Sequence, residues 1–302
     1  MFKNLILARA TGPLNLGALI SNAEARAFVP CGPTQPRSAG FVPPRDSTGP
    51  LVESIANQWL LRLREQTKSV PAAAVAKALD EKLDAIERDT GRRPKGKIKK
   101  ELKEEVIHDL LPKAFPKDRD TMIWIDQQDG LVVVGANTVK QADAALGALI
   151  ECQPDVQVRL INTTASPASI MAVWLADLAR HDVTPIGFSI DRECELKQPD
   201  SEKATVRYSR HTLEIEEIAE HIAQGKIPTR LAMTHAGRVS FVLTDAGALK
   251  KVSILDVALE AASKEERADA FEADVALWTG ELRQTIDALL HAMGGELQPK
   301  AE

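Results

Sequence analysis

The sequence predicts an α+β protein: mixed sheets with packed helices, and a helical hairpin that projects from them. Three observations carry this. Apolar alternation of period two recurs along the chain, interleaved with apolar stripes of period 3.6. Two amphipathic stripes run back to back between residues 71 and 115, joined by a short Gly/Pro-containing connection. At 302 residues, with 44% apolar and 27% charged residues, the chain can bury a sizeable core, and no segment approaches the ~18 apolar residues of a membrane span. That length favours more than one domain. The expected division is residues 1–70 together with 116–165 as one α+β unit, 71–115 as a basic helical finger, and 166–302 as a second α+β unit with an acidic helical tail.

The elements follow in order. "FKNLILARA" reads as a strand and "LNLGALISNAEA" as a short helix with Asn15 near its start. "FVPCGPTQPRSAGFVPP" holds five prolines and two glycines, so loop and extended edge are expected. "QWLLRLREQTK" alternates like a half-buried strand. "PAAAVAKALDEKLDAIERDTG" places Pro71 in a first turn, Val75, Leu79, Leu83 and Ile86 on one stripe, and Gly91 at the stop. "KIKKELKEEVIHDLLPKAF" repeats the stripe with Ile98, Leu102, Val106 and Leu110. "TMIWIDQQDGLVVVGAN" reads as a β-hairpin turning at Gln127 to Gly130, and a helix in "TVKQADAALGALIEC" and a strand in "DVQVRLI" follow. In the second half, Ser166 and Pro167 open the helix "SPASIMAVWLADLARH". "TVRYSRHTL" suits a strand, "EIEEIAEHIAQGK" a helix ending at Gly225, and "RLAMTHAGRVSFVLTDAGALKKVSI" three short strands. The tail is helical, with a capping box at Ser263 and Glu266 and a stop at Gly294-Gly295.

Charge is unevenly distributed. Arg88, Arg92, Arg93, Lys95, Lys97, Lys99 and Lys100 accompany one acid, Asp89, so this short reach carries +6 in a chain whose net charge is −5. Ser253 to Glu302 hold eleven acids against four bases. Such segregation bears on partners. Pairs such as Lys97 with Glu101 and Lys100 with Glu104, at i, i+4, would make the basic segment an ordinary solvated face. That account leaves Arg88, Arg92, Arg93 and Lys95 with too few nearby acids, and unrelieved like charges repel unless a polyanion meets them. Nucleic-acid phosphate, a membrane surface and a solvated face therefore stay open as readings. Arg207, Arg210 and His211 near the end of a strand, with Lys226, Arg230, Arg238, Lys250 and Lys251 beyond, suggest a second basic face. With 4% aromatics and only Tyr208 among tyrosines, base stacking is a poor route to nucleic acid, so backbone charge must dominate.

Catalytic patterns are lacking. "GRRPKGKI" imitates G-x-x-x-x-G-K, but Ile98 replaces the magnesium-binding hydroxyl, a helix precedes it where a strand is needed, and Pro94 removes an N–H from the cradle. No H-E-x-x-H or G-x-S-x-G occurs, and His108, His181, His211, His221, His235 and His291 keep no metal-ligand spacing. Acid pairs such as Glu104-Glu105 and Glu216-Glu217 read as solvated helix faces. Cys31, Cys152 and Cys194 form no C-x-x-C pair, which fits reduced thiols. The expectation is a cytoplasmic protein that is not an enzyme and has no cofactor or metal; "MFKNLILARATG" lacks the apolar length of a secretory signal.

Several strings resemble one family. "FKNL", "GFVPP" at Gly40 to Pro44, "LKEEVIHDLLPKAF" followed by "TMIWID", "VRYSRHTL", "EIAEHIAQGK" with "TRLAM", and "FEADVALWTGEL" occur in order from residue 2 to about residue 282 and resemble the recombination-associated RdgC family. The resemblance implies crescent-shaped subunits that pair into a ring-like homodimer around duplex DNA and bind without marked sequence preference. It also implies a nucleoid-associated protein that restrains RecA-driven strand exchange, with a helical finger over about Pro71 to Phe115 and basic residues lining the ring. The DNA-binding candidates are thus Arg88, Arg92, Arg93, Lys95, Lys97, Lys99, Lys100, Arg207, Arg210, His211, Lys226 and Arg230, with double-stranded DNA, or single-stranded DNA, as partner. Two departures mark this chain: "SRHTL" stands where a lysine-rich "KKQDL" string is expected, and Asp118 and Asp120 stand in a finger base expected to be apolar. The competing class is an interaction factor that docks on RecA through its acidic helices without enclosing DNA.

Overall fold

A computed structural model describes residues 1–179, 187–200, 202–263 and 270–297. Its first sheet contains β1 (Ile6–Thr11), β2 (Arg37–Val42), β3 (Val52–Ile55), β4 (Gln58–Lys68), β5 (Pro116–Asp126), β6 (Leu131–Val134) and β7 (Gln157–Leu160). The spatial order is β2-β4-β5-β6-β1-β7, with β3 also on β4. The second sheet contains β8 (Phe188–Lys197), β9 (Thr205–Ser209), β10 (Ile227–His235), β11 (Val239–Thr244) and β12 (Leu249–Ile254), in the order β12-β11-β10-β8-β9. Every pairing between these strands is antiparallel, which corrects the expectation of mixed sheets. The reason lies in the connections: β3–β4, β5–β6, β8–β9, β10–β11 and β11–β12 are hairpins, and a hairpin can join only antiparallel neighbours.

Alternation builds a core on each face of the first sheet. Trp59, Leu61, Leu63, Ile123, Ile125, Val132 and Val134 lie on one face, under α1 (Leu16–Ala25) and α4 (Val139–Cys152). Trp124, Leu131, Val133, Leu5 and Leu7 point the other way and join a cluster with Met171 and Trp174 of α5 (Pro167–Ala179), Ile218 of α6 (Glu216–Ala223), and Leu231, Met233, Phe241 and Leu243 of the second sheet. Leu282, Ile286, Leu289 and Leu290 of α8 (Ala270–Ala292) complete that shared core, with α8 touching β3 of one sheet and β11 of the other. A direct bridge between Leu5 and Leu249 also links the sheets. Packed against α8 is α7 (Asp256–Ser263).

Local signals are met at several ends. Asn15 caps α1 by accepting from the Ala18 N–H at 3.0 Å, and Ser166 Oγ accepts from the Ser169 N–H at 3.2 Å. The turn at Gln127 to Gly130 forms as expected; Gly130 has φ 66°, and a Cβ there would meet the Ala10 carbonyl oxygen at 2.4 Å. Pro71 takes the cap position before α2 (Ala72–Thr90) and does not enter its first turn. Two strands escaped the sequence reading, β3 and β8. The run "TVRYSRHTL" is strand only to Ser209, because Arg210 turns with φ 56°. Of the expected Ser263/Glu266 capping box, Glu266 lies outside the described residues and Ser263 is the last residue of α7.

α2 leads through five residues into α3 (Gly96–Leu110), followed by a 3-10 turn at Leu111–Lys113. The two helices pack on each other through a small core of their own, Val75, Leu79, Leu83, Val106 and Leu111, none of which belongs to the two main clusters. Lys82 of α2 bridges Glu105 at 3.1 Å and Asp109 at 2.9 Å on α3, which fixes the antiparallel register. This helical hairpin is the connection of a longer β-hairpin: β4 pairs with β5 over eleven residues each, and the last rung, Lys68 with Pro116, is where the helices begin.

Candidate nucleic-acid interface

The seven cations from Arg88 to Lys100 gather around the turn between α2 and α3. Gly91 makes that turn: its φ of 70° ends α2 in a left-handed cap, a conformation that side chains with a Cβ resist. The chain then doubles back, and Arg93 lands alongside α2, where Asp80, Asp84 and Glu87 occupy one helix face. It bonds Asp84, and reaches Asp80 and Glu87 at 3.3 Å each. Asp84 first, and then Glu87, raise the Arg93 guanidinium above its ordinary range. The expectation that Arg93 lacks acids is therefore corrected: it was judged by sequence distance, whereas the turn brings it back over acids six to thirteen residues away.

The other tip cations are freer. Arg88 donates to the Asp84 carbonyl at 3.2 Å. Lys97 makes the expected i, i+4 pair with Glu101, at 3.7 Å and with the lysine 89% exposed, so it holds little energy. The expected Lys100–Glu104 pair does not form among the described residues. Arg92, Lys95, Lys99 and Lys100 are exposed and make no ion pair there.

On the second sheet the charges are arranged differently. Arg207, Glu195 and Arg230 stand in one cross-strand row over β9, β8 and β10 and so share a face. Glu195 is buried and accepts from Arg207 at 2.5 Å and from Thr229 Oγ1 at 2.9 Å, with Lys197 at 3.3 Å. Burial alone would push its carboxyl up, but these donors together outweigh it and hold it down at about 2, so the carboxylate persists through neutral pH. Arg238 forks onto Glu281 of α8, and Lys251 binds Glu193 at 2.8 Å. Lys250 donates to the Asn137 carbonyl at 2.8 Å; burial first, and Arg230 second, lower its pKa. Lys226 lies 3.1 Å from His221 Nδ1, and His211 Nδ1 lies 2.7 Å from the Thr212 carbonyl. In the expected second basic face, acids of β8 and α8 thus neutralise Arg207, Arg238 and Lys251, while His221 and backbone carbonyls engage Lys226 and Lys250, leaving exposed Arg210 and Arg230 as its uncommitted cations among the described residues. The twelve candidates therefore form two groups, seven at the hairpin turn and five on the second sheet.

Sequence reading missed the root of the hairpin. Lys117 and Arg119 are exposed on β5 and form no ion pair among the described residues, while Asp118 and Asp120, which alternate with them, face the other way. Asp120 receives both Arg64 nitrogens at 2.7 Å, which holds its carboxyl below the usual range, and Gln66 donates to Asp118 at 2.8 Å. The signal was the alternation in "PKDRD", visible once that stretch is a strand.

No helix among the described residues is long and apolar enough to cross a membrane, and no group of three or more His, Cys, Asp or Glu is placed to hold a metal ion. Residues 1–296 match the family model described as "Putative exonuclease, RdgC". The chain is 40% identical to the recombination-associated protein RdgC of Dechloromonas aromatica (strain RCB), over 98% of each chain. It is 39% identical to the protein of that name from Janthinobacterium sp. (strain Marseille) over 99% of each, and 36% identical to that of Bordetella pertussis (strain Tohama I) over 98% of each. A match of this extent, over a fold that carries the charged helical hairpin, places the chain in the recombination-associated RdgC family.

Proposed function

We propose that this protein binds duplex DNA through its phosphates without reading sequence, encloses it as a ring-like homodimer, and by occupying the DNA restrains RecA-mediated strand exchange. The observation that carries the DNA-binding part is the cluster of uncommitted cations Arg92, Lys95, Lys99 and Lys100 at the turn between α2 and α3, next to Arg88 and Lys97. Clustered like charges on a small helical hairpin repel one another, and a polyanion relieves that repulsion while releasing counterions. The names of the relatives, which associate them with recombination, support the link to strand exchange. Pairing of two crescent-shaped subunits, with the hairpin as a finger and a place at the nucleoid, rests on the family resemblance.

The reading is one of binding without catalysis. One group of acids near the shared core, Asp126, Asp129 and Asp287, is filled by Arg283, which bonds Asp126 at 2.6 Å, contacts Asp129 and approaches Asp287 at 3.9 Å. A guanidinium there supports a structural role for those acids. The family description as an exonuclease makes hydrolysis the rival to test. Titrating unrelated duplexes at several salt concentrations should give one affinity for all sequences, with log K falling linearly in log salt by ~0.9 per neutralised phosphate. Incubation of end-labelled duplex with magnesium or manganese should leave its length unchanged. A salt-insensitive or sequence-dependent constant overturns the binding reading, and shortening of the label overturns the non-catalytic one.

A further inference from the structure

The outer half of β5 sorts its charges by sign. Residues 116–120 are all exposed, and the ladder register fixes which way each points. Lys117 is opposite Thr67, which is opposite Arg37; Arg119 is opposite Glu65, which is opposite Ala39. These positions continue the face that carries Trp59, Leu61 and Leu63, beyond the point where α4 covers it through the 2.8 Å bond from Gln141 to Thr121. Asp118 and Asp120 lie on the opposite face and are already held by Gln66 and Arg64. On the cationic face Glu65, opposite Arg119, is buried and bonded to Arg37.

Resting on the DNA-binding reading above, we propose that Lys117 and Arg119 form a phosphate-gripping strip on one face of the β2-β4-β5 ribbon, flanked by Arg37, which is held by Glu65. The strip carries the track for the nucleic-acid backbone from the helical hairpin into the body of the protein. Side chains two apart on a strand stand ~6.8 Å from each other, so the two free cations repel unless an anion bridges or accompanies them. Their place suits this role, because the last rung of the ladder, Lys68 with Pro116, is the root from which α2 and α3 leave.

A blander account exists. β6 pairs with β5 only over Ile123 to Asp126, so the outer half of β5 presents a partly open edge, and charges on an edge deter aggregation. Edge protection needs charge of either sign on either face. It does not call for cations on one face and neutralised acids on the other.

The test uses the full-length protein and a short mixed-sequence duplex. Lys117→Gln with Arg119→Gln should reduce the slope of log K against log salt by ~1.8, two contacts at ~0.9 each. Lys3→Gln with Lys203→Gln, exposed cations elsewhere that remove the same charge, should leave it unchanged. Arg119→Lys, which keeps the charge, should retain the native slope and guards against a folding defect in the double variant. An unchanged slope for Lys117→Gln with Arg119→Gln, with or without new self-association, overturns the strip. An equal fall in the control pair overturns it as well, since net charge alone would then explain the effect. If the native protein itself shows no salt-dependent binding, the broader DNA-binding reading fails; if it does and only the strip variant is silent, the strip alone fails.

Discussion

Arg92 and Arg93 are neighbours in sequence with different surroundings. Arg93 is drawn onto α2 by Asp80, Asp84 and Glu87, whereas Arg92 reaches no acid among the described residues. A cation that must leave a carboxylate to meet a phosphate exchanges one charge-assisted contact for another and releases fewer counterions. Arg92→Gln should therefore lower the salt slope of DNA binding by ~0.9, while Arg93→Gln leaves the slope unchanged and weakens the hairpin tip only slightly, as exposed ion pairs do. Salt titrations of the two variants check this, and equal slopes would show that Arg93 abandons its acids on binding. The same logic holds on the second sheet, where Arg207 is tied to Glu195 and Arg230 in the same row is not.

At the scale of elements, the α2–α3 hairpin has a core too small to share the stability of the body. Leu83 of α2 and Val106 of α3, 0% and 1% exposed, are buried where the two helices pack and belong to neither main core. Leu83→Ala should remove ~2–5 kcal/mol of packing from the hairpin. The loss should appear as faster amide exchange in Ala72–Thr90 and Gly96–Leu110 while β10 and β11 keep their protection. Uniform acceleration would mean that the hairpin is welded to the body. These helices were legible in the sequence because their apolar stripes and the Gly91 stop are local signals. β8 was not legible. Its outward positions carry Asp191, Glu193 and Glu195, residues of low strand propensity, and what makes them acceptable is supplied by Thr234, Lys251 and Arg207 on other strands. The site was partly legible for the same reason: a run of cations can be counted along the chain, but which of them are already neutralised depends on acids that only the fold brings near. Lys117 and Arg119 were hidden because "PKDRD" looks balanced until strand geometry separates its signs.

For the whole molecule, the shared core decides how the two sheets unfold. Trp124 and Val133 of the first sheet, Leu231 and Phe241 of the second, and Ile286 and Leu289 of α8 belong to one buried cluster. Loss of either sheet would expose the partner's face, so the body should melt in one transition although its division into 1–70 with 116–165 and 166–302 suggested two units in the sequence. Arg283 on α8 is a second tie across this boundary: it bonds Asp126, which is 0% exposed and otherwise accepts the Gln128 N–H at 2.9 Å. Arg283→Ala leaves that carboxylate buried with one donor, a change that costs ~3–5 kcal/mol when a buried pair is broken. Adding Asp126→Asn should recover much of the loss, because a neutral amide oxygen can still accept from Gln128 without an unpaired charge. Denaturant unfolding followed by amide exchange at β4 in one sheet and β10 in the other measures both effects. Coincident midpoints that shift together in Arg283→Ala, and shift back together in the double variant, are the expected result. Separate midpoints, with only β4 responding, would mean that the two sheets are independent domains and that α8 merely rests between them.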